Sequence, residues 1–108
     1  MINISNDTWF GNSIGPYHHL SLARVRALEN DKWVIRATND GFSAVISNKG
    51  TIVDKLDKGV SGVLNSSIDL FYKSPTPYTT GGYFMPYYLA LMLVFISVIV
   101  NLCIKRRL

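Results

Sequence analysis

Residues 85–104, MPYYLALMLVFISVIVNLCI, contain no charged side chain, and Lys105, Arg106 and Arg107 follow them directly. At ~1.5 Å per residue, a helix over this segment rises roughly 30 Å, the thickness of the hydrocarbon core of a bilayer. Pro86 fits the first turn, where a missing N–H costs nothing. Core helices of soluble proteins are rarely apolar on every face. The segment is therefore predicted to be a transmembrane helix.

The charges on either side of the helix predict its orientation. Three cations follow it, whereas the nearest one before it is Lys73. The positive-inside rule then places residues 105–108 in the cytoplasm and residues 1–84 outside. Because Met1–Ser5 has neither the basic nor the apolar region of a signal peptide, we expect the chain to be the end of a longer membrane protein.

Charge and cysteine content exclude several classes of function. The chain has 11 Lys and Arg against 7 Asp and Glu. Three of these cations lie in the tail, so residues 1–84 are nearly neutral and lack the basic face that nucleic acid binding needs. The tail is better suited to anionic headgroups. Cys103 is the only cysteine, which excludes an intrachain disulfide, and apolar surroundings within the span disfavour its thiolate.

The first residues predict a strand that leads into an unusual loop. Apolar and polar side chains alternate over Ile2–Ser5, and polar residues then begin the loop Asn6–Gly15. This loop holds Trp9 and Phe10 between polar residues. Aromatic side chains in a loop either pack on their own domain or contact a ligand. The residue pattern favours packing and leaves ligand contact open.

A helix is predicted from about Tyr17 to Glu29, with Gly15 as its cap and Pro16 at its first position. Asn30 is expected to end it in the left-handed conformation. Its apolar residues form two adjoining stripes, one of Leu20, Ala23 and Ala27 and one of Leu22, Val25 and Leu28. The alanines would allow close packing against a sheet.

His18 and His19 lie on this helix as neighbours. Adjacent residues point about 100° apart, so the two imidazoles cannot chelate one metal as an i, i+4 pair would. No other cluster of metal-binding residue types accompanies them. The sequence therefore predicts no metal site and no cofactor, and each histidine is expected to be hydrogen-bonded or solvated.

Two strands are predicted over Trp33–Ala37 and Phe42–Ser47, separated by the turn Thr38–Gly41. Asn48–Gly50 predicts a second turn. The less regular alternation over Thr51–Leu56 is typical of an edge strand, so residues 42–56 should form a hairpin.

One further strand is predicted over Val60–Leu70, and the Pro- and Gly-rich residues 73–84 are expected to form a loop to the membrane. The predicted organisation is a folded part over residues 1–72, that loop, a transmembrane helix at 85–104 and a basic tail at 105–108. Helix, strand, hairpin and strand together fit an α/β layer sandwich that lacks its first elements.

Six blocks of sequence carry a resemblance to a known family. They are Ile4–Gly11 (ISNDTWFG), Gly15–Pro16, His19, Ala23–Glu29 (ARVRALE), Arg36–Gly41 (RATNDG) and Thr76–Tyr78 (TPY). Their order and spacing resemble the C-terminal part of the apolipoprotein N-acyltransferases, which are part of the nitrilase, or carbon-nitrogen hydrolase, superfamily. The blocks cover nearly the whole chain.

The resemblance implies a nitrilase-like αββα domain, of which residues 1–72 are the C-terminal part, facing the periplasm from the bacterial inner membrane. Members transfer an acyl chain from a phospholipid to the α-amino group of an apolipoprotein's diacylglyceryl-cysteine, so these two substrates are the implied partners. A cysteine forms a thioester, a glutamate acts as the general base and a lysine stabilises the oxyanion. The thioester divides one difficult acyl transfer into two easier steps.

The resemblance implies no catalytic residue within this chain, because the family's cysteine, glutamate and lysine would all lie upstream of Met1. It does imply candidates for the rim of the substrate pocket, in the loop after the first strand and the turn after the next one: Asn6, Asp7, Trp9, Phe10, Asn39 and Gly41. Asp40 departs from the asparagine that is common at its position. Loop-shaping contacts and direct substrate contact remain open for all six candidates.

Two hypotheses from different classes follow. In the first, the chain is the C-terminal piece of a membrane acyltransferase, inactive alone and completed by an upstream half of the same enzyme. In the second, it is a non-catalytic, single-span membrane protein whose outer domain binds a partner.

Overall fold

The computed structural model describes residues 1–69 and 74–107, with only the backbone of Arg107. The chain divides into two compact units, Met1–Thr76 and Pro77–Leu108. The first unit contains strands β1 (Ile2–Asn6), β2 (Val34–Asn39), β3 (Ser43–Ile46) and β4 (Ile52–Leu56) and helix α1 (Gly15–Asn30). The second contains a short 3-10 turn and helix α2 (Met85–Arg107).

The four strands form one mixed sheet in the order β1-β2-β3-β4. Strands β1 and β2 are parallel, whereas β2 and β3, and β3 and β4, are antiparallel. The predicted hairpin is confirmed as β3 and β4, and β4 lies at an edge as expected. The predicted α/β class is also confirmed, since α1 connects two parallel strands of this sheet.

Helix α1 packs on one face of the sheet through Pro16, Leu20, Ala23 and Ala27. These side chains recur at helical spacing, and Leu20, Ala23 and Ala27 form one apolar core with residues of β2 and β3 and the turn between them: Val34, Phe42, Ala44 and Ile46. The small alanines permit the close approach that the sequence predicted. The second predicted stripe, Leu22, Val25 and Leu28, is exposed.

The predicted ends of α1 require two corrections. Gly15 is the first helical residue and Ile14 caps it, so Gly15 is not the cap. The left-handed residue is Asp31, with φ 48°, and not Asn30. Asn30 remains helical because its side-chain amide donates back to the carbonyl of Arg26 at 2.8 Å. Asp31 instead accepts a hydrogen bond from Asn48 at 2.6 Å.

The predicted turn Thr38–Gly41 is shorter than expected. Strand β2 continues through Thr38 and Asn39, because these residues pair with Ser5 and Asn6 of β1. The chain reverses at Asp40, which has a positive φ of 55°. The second turn is confirmed, since Gly50 has φ 74° and donates its N–H to the carbonyl of Ser47.

The strand predicted over Val60–Leu70 is wrong for residues 60–69, which have no regular secondary structure. Leu70 lies outside the described residues, as does the start of the predicted loop at 70–73. The alternation was misleading because Val60 and Val63 point into solvent. Gly59, with φ 78°, and Gly62 interrupt the segment, and Ser66 bonds the side chain of Asp54.

Helix α2 begins at Met85 as predicted and continues past Ile104 to Arg107. A helical stretch of 25 residues, Gly82–Arg106, is long and apolar enough to cross a membrane, and none of its apolar window is buried within the described chain. Tyr83 and Phe84 pack against each other at its start, with ring centroids 4.3 Å apart. Aromatic rings there are typical of a membrane interface.

Candidate functional site

Four of the six candidate residues meet where β1 and β2 end. The two strands are parallel, so their carboxyl ends lie at the same edge of the sheet, where α/β proteins commonly bind ligands. Asn6 pairs with Asn39 in the ladder, and the N–H of Asp7 donates to the carbonyl of Asn39 at 2.9 Å. Gly41 follows two residues later and lies against Asp7. The candidate site is therefore built on two adjacent strands.

Asp7 is the centre of this cluster and is completely buried. Its Oδ1 accepts hydrogen bonds from Ser5 Oγ at 2.6 Å and from His19 Nδ1 at 2.8 Å. Its Oδ2 accepts one from the guanidinium of Arg36 at 2.9 Å. Arg36 is only 2% exposed and also donates to the side chain of Asn3 at 2.6 Å. The carboxylate thus connects β1, β2 and α1.

The environment of Asp7 keeps its carboxyl group ionised. Burial by itself raises the pKa of Asp7, because it disfavours the charged form. The hydrogen bonds from Ser5 and His19 and the positive charge of Arg36 outweigh burial and hold the pKa below its usual value. An ionised carboxylate only accepts hydrogen bonds, so His19 must carry its proton on Nδ1.

Gly41 is required by the position of Asp7. A Cβ at residue 41 would lie 2.4 Å from Asp7 Oδ2, closer than nonbonded atoms approach. The backbone of residue 41 is therefore in direct contact with the carboxylate. Any side chain there would displace Asp7 from its three donors.

The remaining two candidates, Trp9 and Phe10, form a 3-10 turn directly after Asp7. Their rings stack with centroids 4.4 Å apart, and the indole N–H of Trp9 donates to the carbonyl of Asn6 at 3.1 Å. Phe10 lies over Gly15 and contacts the ring of His19 edge to face. Trp9 is 78% exposed. Phe10 thus packs on its own domain, while Trp9 presents its ring outward.

Asn39 and Gly41 also line a polar cleft of about 450 Å³. It lies between the end of β2 and the irregular segment Gly59–Gly62. Asp40 lines it and accepts a hydrogen bond from Lys58 at 3.0 Å. Asp40 and Lys58 thus form an ion pair at the edge of this cleft.

The sequence analysis missed Asn3, Ser5, His19 and Arg36 as parts of the site. A signal was present, because an arginine in the middle of a predicted strand needs a carboxylate partner if it is buried. The alternation of β1 also puts Asn3 and Ser5 on one face. What the pattern could not provide was the approach of His19, which lies 12 residues after Asp7. Among the described residues, no group of three His, Cys, Asp or Glu side chains could hold a metal ion.

This fold and site define a class of protein. A family model described as Carbon-nitrogen hydrolase matches residues 1–78, and the chain belongs to this family. The nitrilase-like domain predicted from the sequence blocks is confirmed.

Within the family, the chain is similar to proteins named apolipoprotein N-acyltransferase. It is 39% identical to one from Photobacterium profundum over 107 residues, which are 99% of this chain and 20% of that protein. It is 42% identical to one from Nitrosomonas europaea over 82 residues, 76% of this chain and 16% of that protein. It is 53% identical to one from Rhodopseudomonas palustris over 68 residues, 63% of this chain and 13% of that protein. The chain spans about a fifth or less of these relatives.

Proposed function

We propose that this chain is the C-terminal part of a membrane acyltransferase that moves an acyl chain from a phospholipid to the amino-terminal diacylglyceryl-cysteine of apolipoproteins. The observation that carries the proposal is the site at the carboxyl ends of β1 and β2, built from the sequence blocks that resemble this family. The chain provides part of the pocket wall and a helix suited to membrane attachment. The catalytic groups come from an upstream half of the enzyme.

The exposed surfaces of the sheet support the proposal that this chain forms only part of a layer sandwich. Helix α1 covers one face, but on the opposite face Ile2 is 77% exposed and Ile4 is 82% exposed. Ile35 pairs with Ile2 and is also exposed on that face. Strand β1 is at the edge of the sheet, so it offers both a free backbone edge and an apolar surface. An upstream half that adds strands and a second sheet would cover both.

The chemistry of acyl transfer also supports a division of the enzyme into this chain and an upstream half. Acyl transfer through a thioester needs a thiolate in the pocket, together with a base and a fixed cation for the oxyanion. The only cysteine, Cys103, lies on α2 in the second compact unit and is an exposed residue of the apolar helix. We therefore assign the nucleophile, the glutamate and the lysine to the upstream half.

A chimera tests the proposal directly. The matched region of the Photobacterium profundum relative is replaced by this chain, and acyl transfer from phospholipid to a diacylglyceryl peptide is measured in detergent. We expect a rate within about tenfold of the intact relative, or roughly 1.4 kcal/mol in the barrier. The relative without its matched region is the negative control. A chimera that reaches the membrane and transfers nothing would contradict the proposal and favour the non-catalytic, partner-binding alternative.

Trp9→Ala in this chimera tests the outward-facing ring. Because Trp9 is largely exposed, we expect its removal to leave abundance in the membrane unchanged. If the ring contacts the acyl chain, the rate of transfer should fall about tenfold, which corresponds to the loss of one apolar side-chain contact. Leu22→Ala, which removes an exposed apolar side chain of α1, is the comparison variant. A Trp9 variant that disappears from the membrane would instead indicate a packing role.

We place the chain in the bacterial inner membrane, with the folded unit in the periplasm and the basic end in the cytoplasm. Lys105, Arg106 and Arg107 at one end of α2 support this orientation. Protease added to intact spheroplasts should therefore digest a tag at residue 1 and spare one after residue 108. Immunoblotting of both tags measures the outcome, and permeabilised cells are the control. Protection of the first tag would refute the orientation.

A further inference from the structure

His19 has two contacts that connect the buried ion pair to the exposed aromatic turn. Its Nδ1 is held by Asp7 Oδ1 at 2.8 Å, and its ring meets Phe10 edge to face with centroids 6.0 Å apart. Phe10 in turn stacks on Trp9. A continuous chain of contacts therefore runs from the buried Arg36 through Asp7 and His19 to the surface.

The bond to Asp7 fixes the plane of the imidazole. Asp7 cannot move to follow His19, since Arg36 and Ser5 hold its oxygens and Gly41 lies behind it. The charged groups that face His19 are therefore Asp7 directly and Arg36 behind it. An imidazole with a fixed Nδ1–H cannot rotate about its χ angles without breaking a charge-assisted hydrogen bond.

The fixed ring supports Phe10 from the side of α1. Gly15 and His19 are four residues apart and lie on one face of the helix, and Phe10 covers both. A Cβ at Gly15 would lie 2.2 Å from the Phe10 ring, which shows how closely the ring approaches the helix. The Phe10 ring thus contacts Gly15 and the ring of His19 on α1, and Trp9 stacks on it.

We propose that His19 is a positioning residue for the Trp9–Phe10 pair, oriented by the buried Asp7 carboxylate. It does not touch the reacting atoms. Its role is to hold the turn so that the outward ring of Trp9 is presented in one orientation to the acyl chain of the phospholipid. The identity of that ligand rests on the proposed function, whereas the positioning itself does not.

The test uses His19→Asn in the full-length chimera, because Asn retains an N–H donor for Asp7 and removes the ring beside Phe10. His18→Asn is the matched control, since His18 is the exposed neighbour on the same helix. Amide exchange followed by mass spectrometry reports on the turn through the N–H groups of Phe10, Gly11 and Ser13, which bond to Asp7, Thr8 and Phe10. The peptide spanning β3 and β4 reports on whether the domain stays folded.

We expect His19→Asn to speed exchange in the turn about two- to tenfold, the effect of losing one aromatic contact, and to leave β3 and β4 unchanged. His18→Asn should match the parent. The KM for phospholipid should rise by a similar factor in His19→Asn while kcat is nearly unchanged. Unchanged exchange in the turn would overturn the inference. Faster exchange without a change in KM would uphold the positioning role and refute the contact of Trp9 with phospholipid in the proposed function.

The ring orientation is checked independently of activity by nitrogen NMR of histidine-labelled chimera, with resonances assigned through His19→Asn and His18→Asn. We expect the Nδ1 of His19 to carry a proton throughout, because it donates to Asp7, and the Nδ1 of the exposed His18 to be protonated only in part of the population. A His19 whose Nδ1 lacks its proton in part of the population would overturn the inference, because the ring would then not be held by Asp7.

Discussion

Asp7→Ala should lower the free energy of unfolding by about 3–5 kcal/mol, the usual cost of removing one partner of a buried ion pair. The substitution leaves the guanidinium of Arg36 buried, and among the described residues only the side chains of Asn3 and Ser5 remain as its partners. It also removes the acceptor that holds His19. Thermal unfolding of the chimera, followed through amide exchange in β2, measures the loss.

Asp57→Ala is the matched control for this prediction. Asp57 forms an ion pair with Lys55, but its side chain is 66% exposed, and pairs at the surface contribute about 0–1 kcal/mol. Gly41→Ala should resemble Asp7→Ala, since its Cβ would displace the carboxylate. An Asp7→Ala variant as stable as Asp57→Ala would show that the buried network contributes nothing to the fold.

The same carboxylate predicts a dependence of stability on pH. The pKa of Asp7 is lower in the folded chain than in the unfolded chain, where it is about 3.9. Its contribution is therefore complete above that value and is lost as the pH falls through the folded pKa. Asp7→Asn cannot ionise, so below pH ~4 the stability of this variant should fall less steeply than that of the parent.

The sequence correctly predicted the elements whose structure depends mainly on their own residues. The apolar stripe of Leu20, Ala23 and Ala27 specifies a helix face, and the turn before Gly50 specifies the hairpin of β3 and β4. Helix α2 follows from its uninterrupted apolar composition. In each case the decisive interactions are local or repeat with the period of the element.

The predictions were wrong where the structure of a segment depends on a pairing partner that is distant in the chain. Asn39 became part of a strand because Asn6 of β1 pairs with it, and the residues alone had favoured a turn. Val60 alternates like a strand residue but has no ladder to join in the described chain. The Asp7 site is a further example. The resemblance identified Asp7 and Gly41 as candidates, but the contacts of Asp7 with Arg36 and His19 became visible only from the fold.

The chain produced alone should transfer no acyl groups, a loss of at least about 10⁶-fold relative to the chimera, comparable to removing a catalytic nucleophile. Without a thiolate in the pocket no thioester forms, and the hydrogen-bond donors around Asp7 cannot replace it. Cys103→Ser should change neither folding nor the activity of the chimera, because this thiol belongs to the apolar helix that is suited to a bilayer. The assay is single-turnover acyl transfer in detergent with a labelled phospholipid.

Folding of the chain alone should fail for a separate reason. The exposed Ile2 and Ile4 and the free backbone edge of β1 form a surface on which other copies can pair, so aggregation competes with the isolated sheet. Co-expression with the remaining part of the Photobacterium profundum relative should cover this surface and restore both amide-exchange protection over residues 34–56 and acyl transfer. Turnover by the chain alone would refute the assignment of the nucleophile to the upstream half. Strong protection without turnover would show instead that one layer of the sandwich is stable and that only the chemistry requires the other half.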